Sequence, residues 1–145
     1  MIARARIRSL APLVVALSVA LGAGCRPGER TFEFRQQSTT YAFLISADPT
    51  PPSAREPIMY RVVVRDRKTS QPIEGGEGRI FATNPDGVTT WDSFTQGPEV
   101  GTYYAKLNYI TAGNWPIAIQ FRSDSTKPLE RVDWMQEVRD ERTAP

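Results

Sequence analysis

Apolar and polar residues alternate with a period of two along most of this chain, and that rhythm predicts strands. Tyr41, Phe43 and Ile45 share one face of a first run, which "DPTPPS" interrupts because consecutive prolines cannot donate to a ladder. Ile58, Tyr60, Val62 and Val64 alternate against Met59, Arg61, Val63 and Arg65, the pattern of a half-buried strand, and "DRKTSQP" makes the following turn. Residues 77–83 and 88–94 flank "NPDG", a hairpin signal in which Asn84 starts the turn, Pro85 presets its second position and Gly87 accepts a positive φ at the exit.

The strongest alternation comes next. Tyr103, Ala105, Leu107 and Tyr109 line one face of a strand, and across "TAGN" Trp115, Ile117, Ile119 and Phe121 line a face of another. Bulky residues at these positions place both strands centrally in their sheets. Residues 129–138 fit two patterns: Val132, Trp134 and Val138 as a strand, or Leu129, Val132 and Met135 along one helical face. A closing strand is favoured because "SDSTKP" before it reads as a hairpin loop. About seven short strands with turn signals every 8–12 residues predict an all-β, immunoglobulin-like antiparallel β-sandwich. Within it, Gly101 and Tyr103 have the spacing of a tyrosine corner, whose phenol bonds back to the chain just upstream, and the competing reading is that Tyr103 simply packs inward beside Ala105 and Leu107.

The N-terminus departs from this rhythm. Arg4, Arg6 and Arg8 precede an apolar run over residues 10–21, broken only by Pro12 and Ser18, and small residues then lead to Cys25. The order is that of a secretory leader, and its apolar run is shorter than the roughly 20 residues of a membrane-spanning helix. "LGAGC" resembles the lipobox of bacterial lipoproteins, with Gly22 where an aliphatic residue is usual and Leu21 one place further out. The resemblance implies cleavage before Cys25 and acylation of its thiol. Residues 1–24 are then a lipoprotein-type signal peptide, 25–37 the lipidated cysteine and a polar tether ending in an edge strand, 38–140 the sandwich, and 141–145 a frayed end. The expected place is the cell envelope, lipid-anchored and facing the periplasm or exterior.

Charge narrows the partners. The 18 Lys and Arg nearly balance the 16 Asp and Glu, and three of the arginines belong to the leader. The basic residues are interleaved with acids, so nucleic acid is not an expected partner. Cys25 is the one cysteine, so the domain holds together through its core without a disulfide.

"YRVVVRDRKTSQPIEGGEGRIFAT" followed by "GTYYAKLNYITAGNWPIAIQF" resembles the YtkA-like and FixH-like group of extracytoplasmic β-sandwich domains. The matching positions are Asp66 and Pro72, then Gly101 and Tyr103, then Gly113 and Trp115, over about residues 41–122. Two departures stand out: the glycine usual before the proline is replaced within "TSQP", and FixH-like proteins carry a transmembrane helix where this chain has a lipobox. The resemblance implies a non-catalytic module with an accessory role near respiratory copper chemistry, and its motif positions carry fold more than activity.

The chemical inventory bears on that implication. Copper sites draw on imidazole, thiolate and thioether, yet the chain has no histidine, and beyond the leader its methionines are Met59 and Met135, which are expected to pack. No cofactor and no metal site is therefore expected. The lack of histidine also removes the usual general base, so a hydrolase would need a Ser-Lys pair or carboxylates such as Asp124, Glu130 and Asp133. "NPDGVTTWD" lacks the acidic ligands of a calcium loop, because Ala82 and Ser93 fall at its first and twelfth positions. What remains is recognition by surface, with an envelope protein as the expected partner and Trp91 and Phe94 as candidate contacts. Core packing is nevertheless the favoured reading for Trp91 and, more strongly, for Trp115; of the tryptophans Trp91 is the best candidate for a contact.

Overall fold

The alternation sorts side chains onto two faces of each strand, and burial of the apolar faces against one another builds the molecule. The structure, a computed structural model, describes residues 33–140. The leader, Cys25, residues 26–32 of the tether and residues 141–145 lie outside the described residues. Nine strands are formed within them: β1 (Glu33–Gln37), β2 (Tyr41–Asp48), β3 (Pro57–Asp66), β4 (Glu77–Thr83), β5 (Thr89–Ser93), β6 (Thr95–Gln96), β7 (Thr102–Asn108), β8 (Gly113–Arg122) and β9 (Glu130–Val138). They make a five-stranded sheet in the order β1-β2-β3-β7-β6 and a four-stranded sheet in the order β5-β4-β8-β9, with antiparallel pairing throughout. The fold is an all-β sandwich, as the pattern predicts.

Nine strands rather than about seven arise for two reasons. Polar residues over 33–37 form an edge strand because only Phe34 has to reach the core, so the sandwich starts at Glu33, inside the segment read as tether. The run after the "NPDG" turn splits at Phe94, which packs against the core between β5 and β6. Its two halves pair with β4 in one sheet and β7 in the other. Residues 129–138 resolve as strand β9, and the two exposed large apolar residues there, Leu129 and Met135, are those of the rejected helical face.

The core lies between the sheets. Ile58, Tyr60, Val62 and Val64 of β3 meet Phe43 and Ile45 of β2 on one side and Ala105 and Leu107 of β7 on the other. In the second sheet Ile80, Ile119 and Val132 form one cross-strand row, and Ala82, Ile117 and Trp134 the next. Phe121 stands edge-on to Tyr41, Phe43 and Tyr103, at centroid separations of 5.3, 6.0 and 5.1 Å. Such pairs contribute about 0.5–1.5 kcal/mol each beyond area burial.

Polar side chains close the sandwich at both lateral sides. Asp92 of β5 accepts from the Lys106 N–H of β7 at 2.8 Å, and Thr90 accepts from the Asn108 N–H at 3.4 Å. On the other side Glu130 of β9 accepts from the Thr40 N–H at 2.9 Å, and Phe34 packs edge-on against Trp134 at 5.1 Å. Residues 52–54 of the β2–β3 connection bond to Arg139 just beyond β9. The "NPDG" turn closes as read: the Asn84 N–H donates to the Val88 carbonyl, the Asn84 carbonyl accepts from the Gly87 N–H, the Asn84 side chain accepts from the Val88 N–H at 2.8 Å, and Gly87 has φ of +82°.

Candidate functional site

The outer face of the four-stranded sheet carries the candidate site, and strand register builds it. With Ile80 and Ala82 turned into the core, Arg79, Phe81 and Thr83 of β4 must point outward. Phe81 has Trp91 opposite it on β5 and Ala118 on β8, and Ala118 in turn faces Asp133 of β9. Pro116 faces Met135 one step along. Trp91 and Met135 are 61% and 62% exposed, the two highest values among the large hydrophobic residues left exposed in the described chain.

Between them Phe81 is half-buried under two guanidinium groups. Arg79 and Arg131 stand 5.3 and 5.2 Å from its ring centroid, within cation–π range. Each cation is held from the side: Arg79 donates to Gln120 at 3.0 Å and Arg131 to Asp133 at 2.8 Å. The Asp133 contact raises the affinity of Arg131 for its proton, so the group stays charged. A shallow hollow of about 380 Å³ adjoins this surface, lined in part by Arg79, Phe94, Gln120 and Arg122. An apolar strip with positioned planar cations suits recognition of another surface, because aromatic and Arg side chains dominate interface energetics.

The other sequence-read positions go elsewhere. Asp66, Pro72, Gly101 and Tyr103 come together at the opposite end of β3 from the "DPTPPS" loop. The Asp66 carboxylate accepts from the Lys68 and Thr69 N–H groups, both at 2.8 Å, and these backbone bonds, Thr69 first, hold it below the usual carboxylate range. Pro72 bridges to Arg65, and a Cβ on Gly101, whose φ is +77°, would stand 2.7 Å from the Pro72 Cβ. Tyr103 is buried and its hydroxyl donates to the Ile73 carbonyl at 2.6 Å and accepts from the Gly76 N–H at 3.0 Å. The phenol therefore ties β7 to the β3–β4 connection, not to the chain just upstream as in a tyrosine corner. Trp115, 1% exposed, is core, with its indole donating to the Thr111 carbonyl, and Gly113 opens its strand with φ of +121°.

Several expectations change. Trp91 does not pack in the core, and Phe94 is half-buried, packing against Tyr103 and Phe121. Met59 and Met135, expected to pack, are both exposed, and they lie on different sheets. The carboxylates offered for hydrolysis are engaged separately: Asp124 caps its own turn through Thr126, Glu130 holds Thr40 and Asp133 holds Arg131. Among the described residues no cluster of three or more His, Cys, Asp or Glu has metal-binding geometry. Cys25 lies outside them.

Sequence reasoning missed Phe81, Arg79 and Arg131. The signal was present, since a hairpin that pairs Thr83 with Thr89 also pairs Phe81 with Trp91. No protein-family profile matches the chain, and no curated protein matches it in sequence. In structure it is similar to a DUF4426 family protein from Pseudomonas aeruginosa, with a TM-score of 0.55 and 14% identity over 76% of this chain and 97% of that chain. At that identity the likeness shows a shared β fold, and it does not single out the YtkA-like or FixH-like group.

Proposed function

We propose that this protein is a lipid-tethered module of the cell envelope that binds another envelope protein through the outer face of its four-stranded sheet and performs no catalysis. The observation that carries the reading is the pairing of exposed Trp91 with Phe81 beneath two cations, beside exposed Met135. Isolated exposed apolar residues need no explanation, but here an aromatic pair, two arginines and a methionine share one face. The leader and Cys25 support the tether, and the resemblance to YtkA-like and FixH-like domains supports an accessory role in assembling a respiratory or metal-handling complex. A copper carrier is the weaker reading, because Met59 and Met135 lie on different sheets and cannot share an ion.

The test uses photo-crosslinking side chains placed at Trp91, Met135 and, as a control on the other sheet, Met59, in cells making the full chain. Discrete adducts from the first two positions and none from Met59 are expected. Adducts from Met59 alone, or from no position, would overturn the assigned face. In the same cells Cys25→Ser is expected to leave the membrane fraction, and retention of that variant through detergent washing would overturn the lipid tether.

A further inference from the structure

We infer that β9 is a self-association edge, at which two copies of this chain pair their β9 strands antiparallel and join two four-stranded sheets into one. β9 is nine residues long and pairs with β8 alone among the described strands, so one row of its backbone donors and acceptors faces no strand. An edge of this length is a template for another strand unless something blocks it. The sandwich manages its other lateral side differently, with Asp92 and Thr90 filling the edge of β7. At β9 the described residues supply Glu130 at one end, the Phe34–Trp134 contact at the middle and residues 52–54 just past the other end.

The charges on β9 point to its own copy as the occupant. Its outer face reads Arg131, Asp133, Met135, Glu137. A twofold axis at Trp134, the midpoint of Glu130–Val138, overlaps the whole strand and sets Arg131 of each copy opposite Glu137 of the other, with Asp133 opposite Met135. Shifting the axis to Asp133 puts that carboxylate against itself, and shifting it to Met135 puts Asp133 against Glu137. An axis at Val132 keeps opposite charges facing but overlaps only residues 130–134. Full overlap and charge complementarity therefore coincide in one register, and opposite charges facing across strands stabilise a pairing while like charges oppose it. Charges that merely guard an edge have no reason to be self-complementary.

The inner face agrees. Among the described residues the indole N–H of Trp134 is buried without a hydrogen-bond partner. In the same register Gln136 of the second copy lies diagonally across from Trp134 on the same face, a polar side chain beside the indole. The tether permits the arrangement: residues 25 to 33 span at most about 29 Å when extended, so both anchors reach one bilayer when the strands lie along its surface. That geometry rests on the acylated Cys25, whereas the pairing itself does not.

The experiment is sedimentation of the full chain carrying Cys25→Ser, which removes acyl and thiol routes to association, alongside R131E, E137R and the R131E/E137R exchange in that background. A dimer is expected for the parent, a dissociation constant raised about tenfold or more by each single reversal, and restoration to near the parent value by the exchange. Glu137 is exposed, so E137R carries the test alone should R131E fail to fold. A monomer at about 100 µM, a dimer indifferent to both reversals, or an exchange that does not restore association would each overturn the β9 pairing.

Discussion

Trp91 and Trp115 are the same residue type in similar alternating surroundings, yet one is 61% exposed and the other 1%. The difference is registral. Trp91 lies opposite outward Phe81, whereas Trp115 follows the core face of β8 and stacks edge-on against Tyr109 at 5.1 Å. Trp115→Ala is therefore expected to cost about 3–5 kcal/mol, from lost burial and the cavity left behind. Trp91→Ala should change stability by less than about 0.5 kcal/mol. Urea unfolding of both variants checks this: equal losses would mean that β5 is turned the other way. The sequence could not separate the two tryptophans, because alternation says which residues share a face and not which face is covered. Trp115 was legible through its isoleucine neighbours at 117 and 119, while Trp91 had only weakly patterned Thr and Ser around it.

The strands differ in how their edges are handled. β7 keeps only a two-residue partner in β6, and the rest of that side is completed by side chains from the facing sheet. Asp92→Ala removes the acceptor of the Lys106 N–H and is expected to lower stability by about 1 kcal/mol, the net value of one hydrogen bond. A shift in the urea midpoint at constant slope measures it, and an unchanged midpoint would show water taking the place of the carboxylate. Strands β2, β3, β7, β8 and β9 were legible because each buries one face and its apolar residues alternate, and β4 and β5 were legible as the arms of the "NPDG" hairpin. β1 was read only as an edge strand ending the tether and β6 was not read, since strands with one inward apolar side chain or none carry no periodic signal. The same limit hid half the site: β4 was read as one arm of the "NPDG" hairpin, and its outward Arg79 and Phe81 acquire meaning only beside Trp91 and Arg131, which other strands supply.

For the molecule as a whole, the buried hydroxyl pair Tyr60 and Tyr109 sets a limit on the alkaline side. Their oxygens are 2.6 Å apart in the core, and burial pushes both phenols far above the ordinary tyrosine range. Because the folded state holds these protons more tightly, the contribution to stability is full below the unfolded tyrosine pKa of about 10 and is lost as pH rises above it. Stability should fall from about pH 10 upward, and the Y60F/Y109F pair should flatten that limb while leaving neutral stability nearly unchanged, because both partners are replaced together. Thermal unfolding between pH 7 and 11 provides the measurement, and an equally steep alkaline limb in the double variant would place the relevant titration elsewhere. By itself the sequence determined the all-β class, which residues of the well-patterned strands share a face, and the "NPDG" turn, because these depend on local turn chemistry and on a period of two that those strands carry within themselves. Only the tertiary structure decided that Asp66, Pro72, Gly101 and Tyr103 form one knot, that Phe94 crosses between sheets, and that Trp91, Phe81 and Arg131 share a surface. Those contacts join residues far apart in the chain, and they come into being only when strand order and register bring separate segments side by side.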